Sequence, residues 1–155
     1  MRMRELTRLT GITSADLTNW RSRGMTGIPP SQQGQERKFG SDDKMLVIVL
    51  GLLKALALHG LALERAKAFA VGWVNFYGAN PSHDSVIVVN LRTMETNVRD
   101  FNDGMSLREA FDAFPDETVE DPDDLSAAGT SLAVVDAWQI AQRIERAFKA
   151  EGDLA

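Results

Sequence analysis

The 155-residue sequence contains no cysteine and only two histidines, His59 and His83. The lack of cysteine excludes a disulfide scaffold, a thiolate metal site and a cysteine nucleophile, and two histidines are too few for a histidine-rich metal centre. Long apolar runs are also missing, because the most hydrophobic segment, Met45–Leu58, contains Lys54 and is too short to span a bilayer. These absences predict a chain with no metal, no cofactor and no membrane partner.

Signals for secretion and for catalysis are missing as well. The basic opening, MRMRELTRLTG, has no apolar stretch behind it, so we expect a cytoplasmic protein. The sequence has no phosphate-binding loop, no Gly-x-Gly-x-x-Gly motif, and no Ser/His/Asp set or carboxylate pair at a credible spacing. We therefore predict no catalytic residues and no enzymatic activity.

Charge is distributed unevenly along the chain, whose formal net charge is −5. Residues 1–40 carry seven Lys/Arg against three Asp/Glu, whereas residues 81–155 carry six against sixteen. Nucleic-acid binding depends on local positive potential and not on the net charge of the whole protein, so this distribution favours DNA binding by the N-terminal part. The acidic second half would repel phosphate and thereby orient the molecule.

Two short helices are predicted at the start of the chain. Apolar residues spaced along one helical face indicate a first helix over about residues 3–10, which ends at Gly11. Thr13 and Asp16 form a capping box that predicts the start of a second helix, which ends near Gly24. Two short helices joined by a tight turn containing glycine are typical of a helix-turn-helix.

A polar segment and two longer helices follow. Gly27–Gly40 contains two prolines and predicts a short hairpin or extended loop, which we interpret as a wing. Helices are then predicted from Ser41 to about His59 and over about Ala62–Tyr77. Apolar residues cover nearly every face of the first of these, so we expect it to be central or to lie at an interface between two copies.

The order of these motifs resembles the MerR-type winged helix-turn-helix DNA-binding domain over about residues 3–70. The segments that carry the resemblance are Glu5-Leu6, Thr10-Gly11-Ile12, Leu17, Trp20, Arg23-Gly24-Met25, Arg37-Lys38-Phe39, Ser41, Asp43 and Gly60–Glu64. The resemblance implies that the second helix enters the major groove and that Arg37 reaches the DNA backbone or the adjacent minor groove. The cysteines of the metal-sensing members of the family are absent.

The candidate DNA contacts lie on the second helix and on the wing. Short polar side chains and arginines read base edges in the major groove, and long cations on a projecting wing suit phosphates or a narrow minor groove. The residues predicted to contact DNA are Ser14, Thr18, Asn19, Arg21, Arg23, Gln35, Arg37 and Lys38. The alternative is a solvated helix face and a loop kept soluble by its charge. Arg2 and Arg4 could add phosphate contacts, but they are left out of the set, because a flexible basic N-terminus is common.

The second half of the chain has a different pattern. Runs of β-branched residues predict strands within Asp84–Met94 and Thr130–Ile140, each followed by a turn or a helix start, and an amphipathic helix is predicted over Asp136–Ala150. Between the two strands lie a capping box at Ser106–Glu109, which predicts a short helix, and an acidic loop over residues 112–129. Two strands and one helix cannot bury a core alone, so this half must pack on the first half or on a second chain.

The predicted fold is α+β and mostly helical, with a winged helix-turn-helix domain over residues 1–78 and a small mixed strand and helix region over residues 79–155 for oligomerisation or partner binding. The predicted function is that of a homodimeric, sequence-specific protein that binds double-stranded DNA and regulates transcription. Two alternatives stay open at this point. One is a phage or prophage DNA-handling protein, such as a small packaging subunit or an excisionase-like factor, and the other is a winged helix reused as a protein-interaction module.

Overall fold

The computed structural model describes residues 1–26, 28, 38–81, 84–100 and 132–152. The described part contains five α-helices, a 3₁₀ turn and a three-stranded antiparallel sheet, so the predicted α+β class is confirmed. In chain order the elements are α1 Met3–Thr10, α2 Ser14–Ser22, the 3₁₀ turn Ser41–Asp43, α3 Lys44–Leu58, α4 Leu63–Ala79, β1 Ser85–Asn90, β2 Thr96–Asp100, β3 Leu132–Val135 and α5 Ala137–Gly152. Helices thus supply most of the ordered structure.

The corner between α1 and α2 forms where the sequence predicts it. Gly11 ends α1 in the left-handed conformation, with a φ of 72°, and its N–H donates to the carbonyl of Thr7. Glycine adopts this conformation without the steric penalty that a β-carbon brings, so the chain turns sharply at this point. Ile12, which follows directly, is fully buried and fixes the turn against the core.

Helix α3 occupies the centre of the fold, in contact with α1, α4 and α5. Seven of its residues are buried, including Ile48, Leu52 and Leu56. Two features of the sequence predict a second copy of the chain: the strongly apolar α3 and the amphipathic helix over Asp136–Ala150, which is α5 in the structure. Since α5 packs on α3 within one chain, those two helices cover each other and their burial requires no partner.

The sheet has the strand order β2-β1-β3, with β1 paired antiparallel to both neighbours. Every residue of β1 is buried, and Ser85 at its start accepts a hydrogen bond of 3.0 Å from Nε1 of Trp73 on α4. After β3, the carboxylate of Asp136 accepts a hydrogen bond from the N–H of Gln139 and thereby starts α5. The strands predicted around β1 and β3 are confirmed, whereas β2 was not predicted, because only Val98 in this strand is apolar.

One hydrophobic cluster joins the two halves of the chain. It contains Leu6 of α1, Leu52 of α3, Trp73 of α4, Ile87 of β1 and Ile144 of α5. Part of residues 79–155 therefore packs on residues 1–78, which is one of the two arrangements that the sequence left open. The predicted helix at Ser106–Glu109, the acidic loop 112–129 and most of the predicted wing lie outside the described residues.

Candidate nucleic-acid interface

Helix α2 is held on the protein by one side and is exposed on the other. Trp20 is its only buried residue, and Leu17 packs against the core with partial exposure. The residues of this helix that are predicted to contact DNA are all exposed, namely Ser14, Thr18, Asn19 and Arg21. Arg23, which follows the helix, is exposed as well. The helix therefore presents a polar surface from a fixed base.

A capping box fixes the N-terminus of α2. The N–H of Asp16 donates to the hydroxyl of Thr13 over 3.1 Å, and Oδ2 of Asp16 accepts from the N–H of Thr13 over 2.8 Å. The same Oδ2 accepts from Nζ of Lys54 on α3 over 2.9 Å, and both side chains of this ion pair are about one-fifth exposed. Asp16 thus caps α2 and ties it to the central helix, and its negative charge is neutralised within the protein.

The environment of Asp16 also lowers the pKa of its carboxyl below the ordinary value of 3.8. Burial acts to raise this pKa, but the hydrogen bonds from the Thr13 backbone, from Lys54 and from the Thr13 hydroxyl outweigh that effect. The stabilisation that Asp16 gives is therefore complete above about pH 4 and is lost as the pH falls through the lower pKa of the folded state.

We expect Asp16→Ala to lower the free energy of unfolding at pH 7 by about 1–2 kcal/mol, since it removes the carboxylate half of the capping box and a partly buried ion pair. Urea unfolding of the wild type and the variant checks this at two pH values. At about pH 7 the contribution of the ionised Asp16 is complete, and at about pH 2.5 it is reduced. The difference should shrink at the lower pH. Asp42→Ala is the matched control, because Asp42 is an exposed carboxylate near another helix start. An equal loss in both variants would contradict the role given to Asp16.

Two hydroxyl groups on the exposed side of α2 donate their hydrogens to the helix backbone. The hydroxyl of Thr18 donates to the carbonyl of Ser14 over 2.9 Å, and the hydroxyl of Ser22 donates to the carbonyl of Asn19 over 2.7 Å. Since their hydrogens are engaged by the helix backbone, these oxygens face outward as acceptors. In the major groove such acceptors suit the amino groups of cytosine and adenine. Ser22 was not among the residues predicted from the sequence.

Asn19 and Arg21 lie on opposite flanks of this exposed face. At about 100° per residue, their side chains leave α2 about 160° apart, with Thr18 between them. Within the described residues, the Asn19 amide and the guanidinium groups of Arg21 and Arg23 take part in no hydrogen bond or ion pair. They are therefore not committed to other groups, but Asn19 and Arg21 cannot both point at the same base pair.

The predicted wing contacts are described only in part. Gln35 and Arg37 lie outside the described residues, whereas Lys38 is exposed and forms an isolated antiparallel bridge with Arg2. Next to this bridge, the backbone nitrogen of Met1 donates to the carbonyl of Phe39 and the N–H of Phe39 donates to the carbonyl of Met1, each over 2.8 Å. The first residues are thus fixed beside Lys38 and Phe39, so the general reason for leaving Arg2 and Arg4 out of the candidate set does not apply here.

Other kinds of site are not indicated in the described part of the chain. Among those residues, no group of three or more His, Cys, Asp or Glu is arranged to hold a metal ion. None of the helices that the structure describes combines the length and the apolar character needed to cross a membrane. A groove of about 690 Å³ between α4 and β2 is lined by the apolar side chains of Phe69, Trp73, Phe76 and Val98, together with Arg65, Ala68, Gly72 and Thr96.

The chain was compared with known proteins by sequence. No protein-family model matches it, and no curated protein matches it significantly. The case for a function consequently depends on the helix α2, its exposed side chains and the charges around them.

Proposed function

We propose that this protein binds double-stranded DNA in a sequence-dependent manner through α2, as a homodimeric regulator of transcription. The observation that carries the proposal is the exposed face of α2, which is polar apart from Ala15, while Trp20 and the Asp16–Lys54 pair fix the opposite side. A short polar helix that is held rigidly at a helix-turn-helix corner is the element that enters the major groove.

The side chains of α2 divide the recognition between them. Thr18 and Ser22 offer hydroxyl acceptors in the middle of the face, and Asn19 and Arg21 extend from its two flanks. Asn19 suits adenine, since its amide matches the donor and acceptor of that base, and Arg21 suits guanine or a phosphate. Because the two side chains diverge, they would contact different base pairs, or Arg21 would contact the backbone while Asn19 reads a base.

The charge of the described N-terminal residues supports an anionic partner. Residues 1–26 contain five arginines and two acids, and one of those acids, Asp16, is already neutralised by Lys54. The positive potential at this corner is thus larger than the count of charged residues indicates. Most of the acidic residues belong to the second half of the sequence.

The homodimer in this proposal rests on apolar surface that the monomer leaves exposed. Val71 and Phe76 on α4 are about two-fifths exposed, and Phe76 lines the apolar groove between α4 and β2. Large exposed apolar side chains beside an apolar groove are typical of a protein interface. A dimer would present two copies of α2 to half-sites about 34–36 Å apart, one turn of DNA.

The proposal is tested by selecting bound sequences from a randomised duplex pool and measuring affinity by fluorescence anisotropy. We expect an enriched sequence, two half-sites in it, and a dimer by sedimentation. Asn19→Ala and Arg21→Ala should each reduce discrimination between the selected duplex and a duplex altered at the contacted position by about 5- to 150-fold, the equivalent of about 1–3 kcal/mol for one base contact.

The control is Arg146→Ala, which removes an exposed arginine from α5 and leaves α2 unchanged. It should bind and discriminate as the wild type does. Absence of duplex binding at low salt would contradict the proposal and leave the protein-interaction alternative. Tight binding without any enriched sequence, together with strong bending of the DNA, would favour the architectural or packaging alternative over a regulator.

A further inference from the structure

Three arginines near the start of the chain, Arg2 just before α1 and Arg4 and Arg8 on it, are not in the set predicted from the sequence to contact DNA. Arg2, Arg4 and Arg8 line one open depression together with Glu5. Lys38 lies beside them, because its backbone pairs with that of Arg2. We call these four cations the α1 basic cluster; they come from two segments that are 30 residues apart in the sequence and meet only in the folded chain.

The charge of the α1 basic cluster is largely uncompensated. All four cations are exposed, and among the described residues none of them forms an ion pair. Glu5 is the only acid that lines the depression. By contrast, Lys54 on α3 is paired at 2.9 Å. Four like charges held close together raise the local concentration of anions, and an anion that bridges them relieves their mutual repulsion.

The backbone under the α1 basic cluster is fixed. Reciprocal hydrogen bonds of 2.8 Å join Met1 to Phe39 on one side of the Arg2–Lys38 bridge. On the other side Leu6 is fully buried and anchors α1 to the core. Because the side chains leave a rigid base, less conformational entropy is lost when they close on a ligand.

The chemistry of the cluster favours phosphodiesters. Three of the four cations are arginines, whose planar guanidinium groups bind phosphate oxygens in a bidentate manner. Arg4 and Arg8 are one helical turn apart, about 6 Å along the axis, which is close to the axial rise over two nucleotides of a DNA strand at about 3.4 Å each. A membrane surface is a poorer match, since none of the large exposed apolar side chains lies on α1.

We propose that the α1 basic cluster is a second DNA-binding site, which contacts the phosphodiester backbone without reading sequence. This inference rests on the proposed function of α2, because it extends the same protein–DNA interface beyond the recognition helix. Its role is to supply affinity and to fix the position of the protein on the duplex, whereas α2 supplies discrimination.

The test compares two variants with the same change in net charge. In the first, Arg2, Arg4 and Arg8 are replaced by glutamine; in the second, Arg143, Arg146 and Lys149 of α5 are replaced by glutamine. Anisotropy titrations with the selected duplex and a scrambled duplex give affinity and salt dependence at about 50–300 mM salt, over which the Debye length falls by roughly a factor of 2.5. Far-ultraviolet circular dichroism checks that both variants are folded.

We expect the α1 variant to bind both duplexes about 10- to 100-fold more weakly than the α5 variant at the same salt concentration. The slope of log K against log salt should become shallower by about 0.9 for each phosphate that the variant no longer neutralises, while the ratio of selected to scrambled binding stays unchanged. Glu5→Gln should strengthen binding to both duplexes, which a merely misfolded variant would not do. Glu64→Gln, in the first turn of α4, is its matched control and should have no effect.

Equal affinities and slopes for the two triple variants would overturn the second site while leaving binding by α2 intact. A changed ratio of selected to scrambled binding would also overturn it, because the cluster would then read sequence. Binding of the wild type and the α1 variant to a polyglutamate peptide is measured as well. Loss of binding to this peptide without loss of binding to DNA would also overturn the second site. If the wild type binds no duplex at about 50 mM salt, well below the physiological ionic strength of about 150 mM, both this site and the proposed function of α2 are wrong.

Discussion

Replacing Gly51 with leucine is expected to remove about 3 kcal/mol or more from the free energy of unfolding. Gly51 is buried in the middle of α3, where α1 and α5 both cross close to the helix backbone. A β-carbon at this position would lie 3.2 Å from Cγ2 of Ile140, 3.2 Å from Cδ1 of Ile144 and 3.3 Å from Cγ2 of Thr10. The additional atoms of leucine have no space and would displace α5 or α1 from the core.

Urea unfolding followed by circular dichroism measures this effect. The same substitution at Gly72 is the matched control, because Gly72 also lies inside a helix but its β-carbon would meet no atom within 4 Å. Gly72→Leu should be neutral or stabilise by up to about 1 kcal/mol, since glycine is a poor helix former. Similar stabilities of the two leucine variants would show that α5 does not pack on α3 as described.

The second large effect is expected for Trp20→Ala, which should destabilise the protein by about 3–5 kcal/mol and lower its melting temperature by on the order of 10 °C. Trp20 is the only buried residue of α2 and is 3% exposed. Its removal would leave a cavity under α2, which the partly buried Leu17 and the Asp16–Lys54 pair would still hold.

Calorimetry measures the loss of stability, and DNA binding at a temperature well below the melting point measures its consequence. We expect weaker and less selective binding, because α2 would no longer be held in one orientation. Trp20→Phe retains most of the buried volume and should cost less than about 2 kcal/mol. If Trp20→Ala left both the melting temperature and the selectivity unchanged, α2 would not be anchored through this side chain.

Local features of the fold were predictable because their causes lie within a few residues. The end of α1 at Gly11, the capping box of Thr13 and Asp16 and the start of α5 after Asp136 all depend on hydrogen bonds between residues three or four apart. The exposure of Thr18 and Asn19 likewise followed from the position of Trp20 on the same helix. These parts of the candidate interface could therefore be predicted from the sequence alone.

Other features were missed, because they depend on backbone pairing and not on an apolar pattern. Strand β2 has little apolar character, and it forms because its backbone pairs with the buried strand β1. Arg2 was left out of the candidate contacts because a basic N-terminus is commonly flexible, but its segment is fixed by hydrogen bonds between Met1 and Phe39. That pairing has no local signal in the sequence, because only the folded chain brings the two segments close. The turn between β1 and β2 is local, since the side-chain oxygen of Asn90 accepts hydrogen bonds from the N–H groups of Arg92 and Thr93.

The sequence by itself determined where helices start and stop, which face of α2 is polar, and that the positive charge belongs to the first part of the chain. Only the tertiary structure decided that α5 covers α3, that Asp16 is neutralised by Lys54, and that four cations from separate segments meet at α1. The physical reason is range: capping and helical periodicity act over one or two turns, whereas burial and local potential depend on which distant segments the fold places side by side.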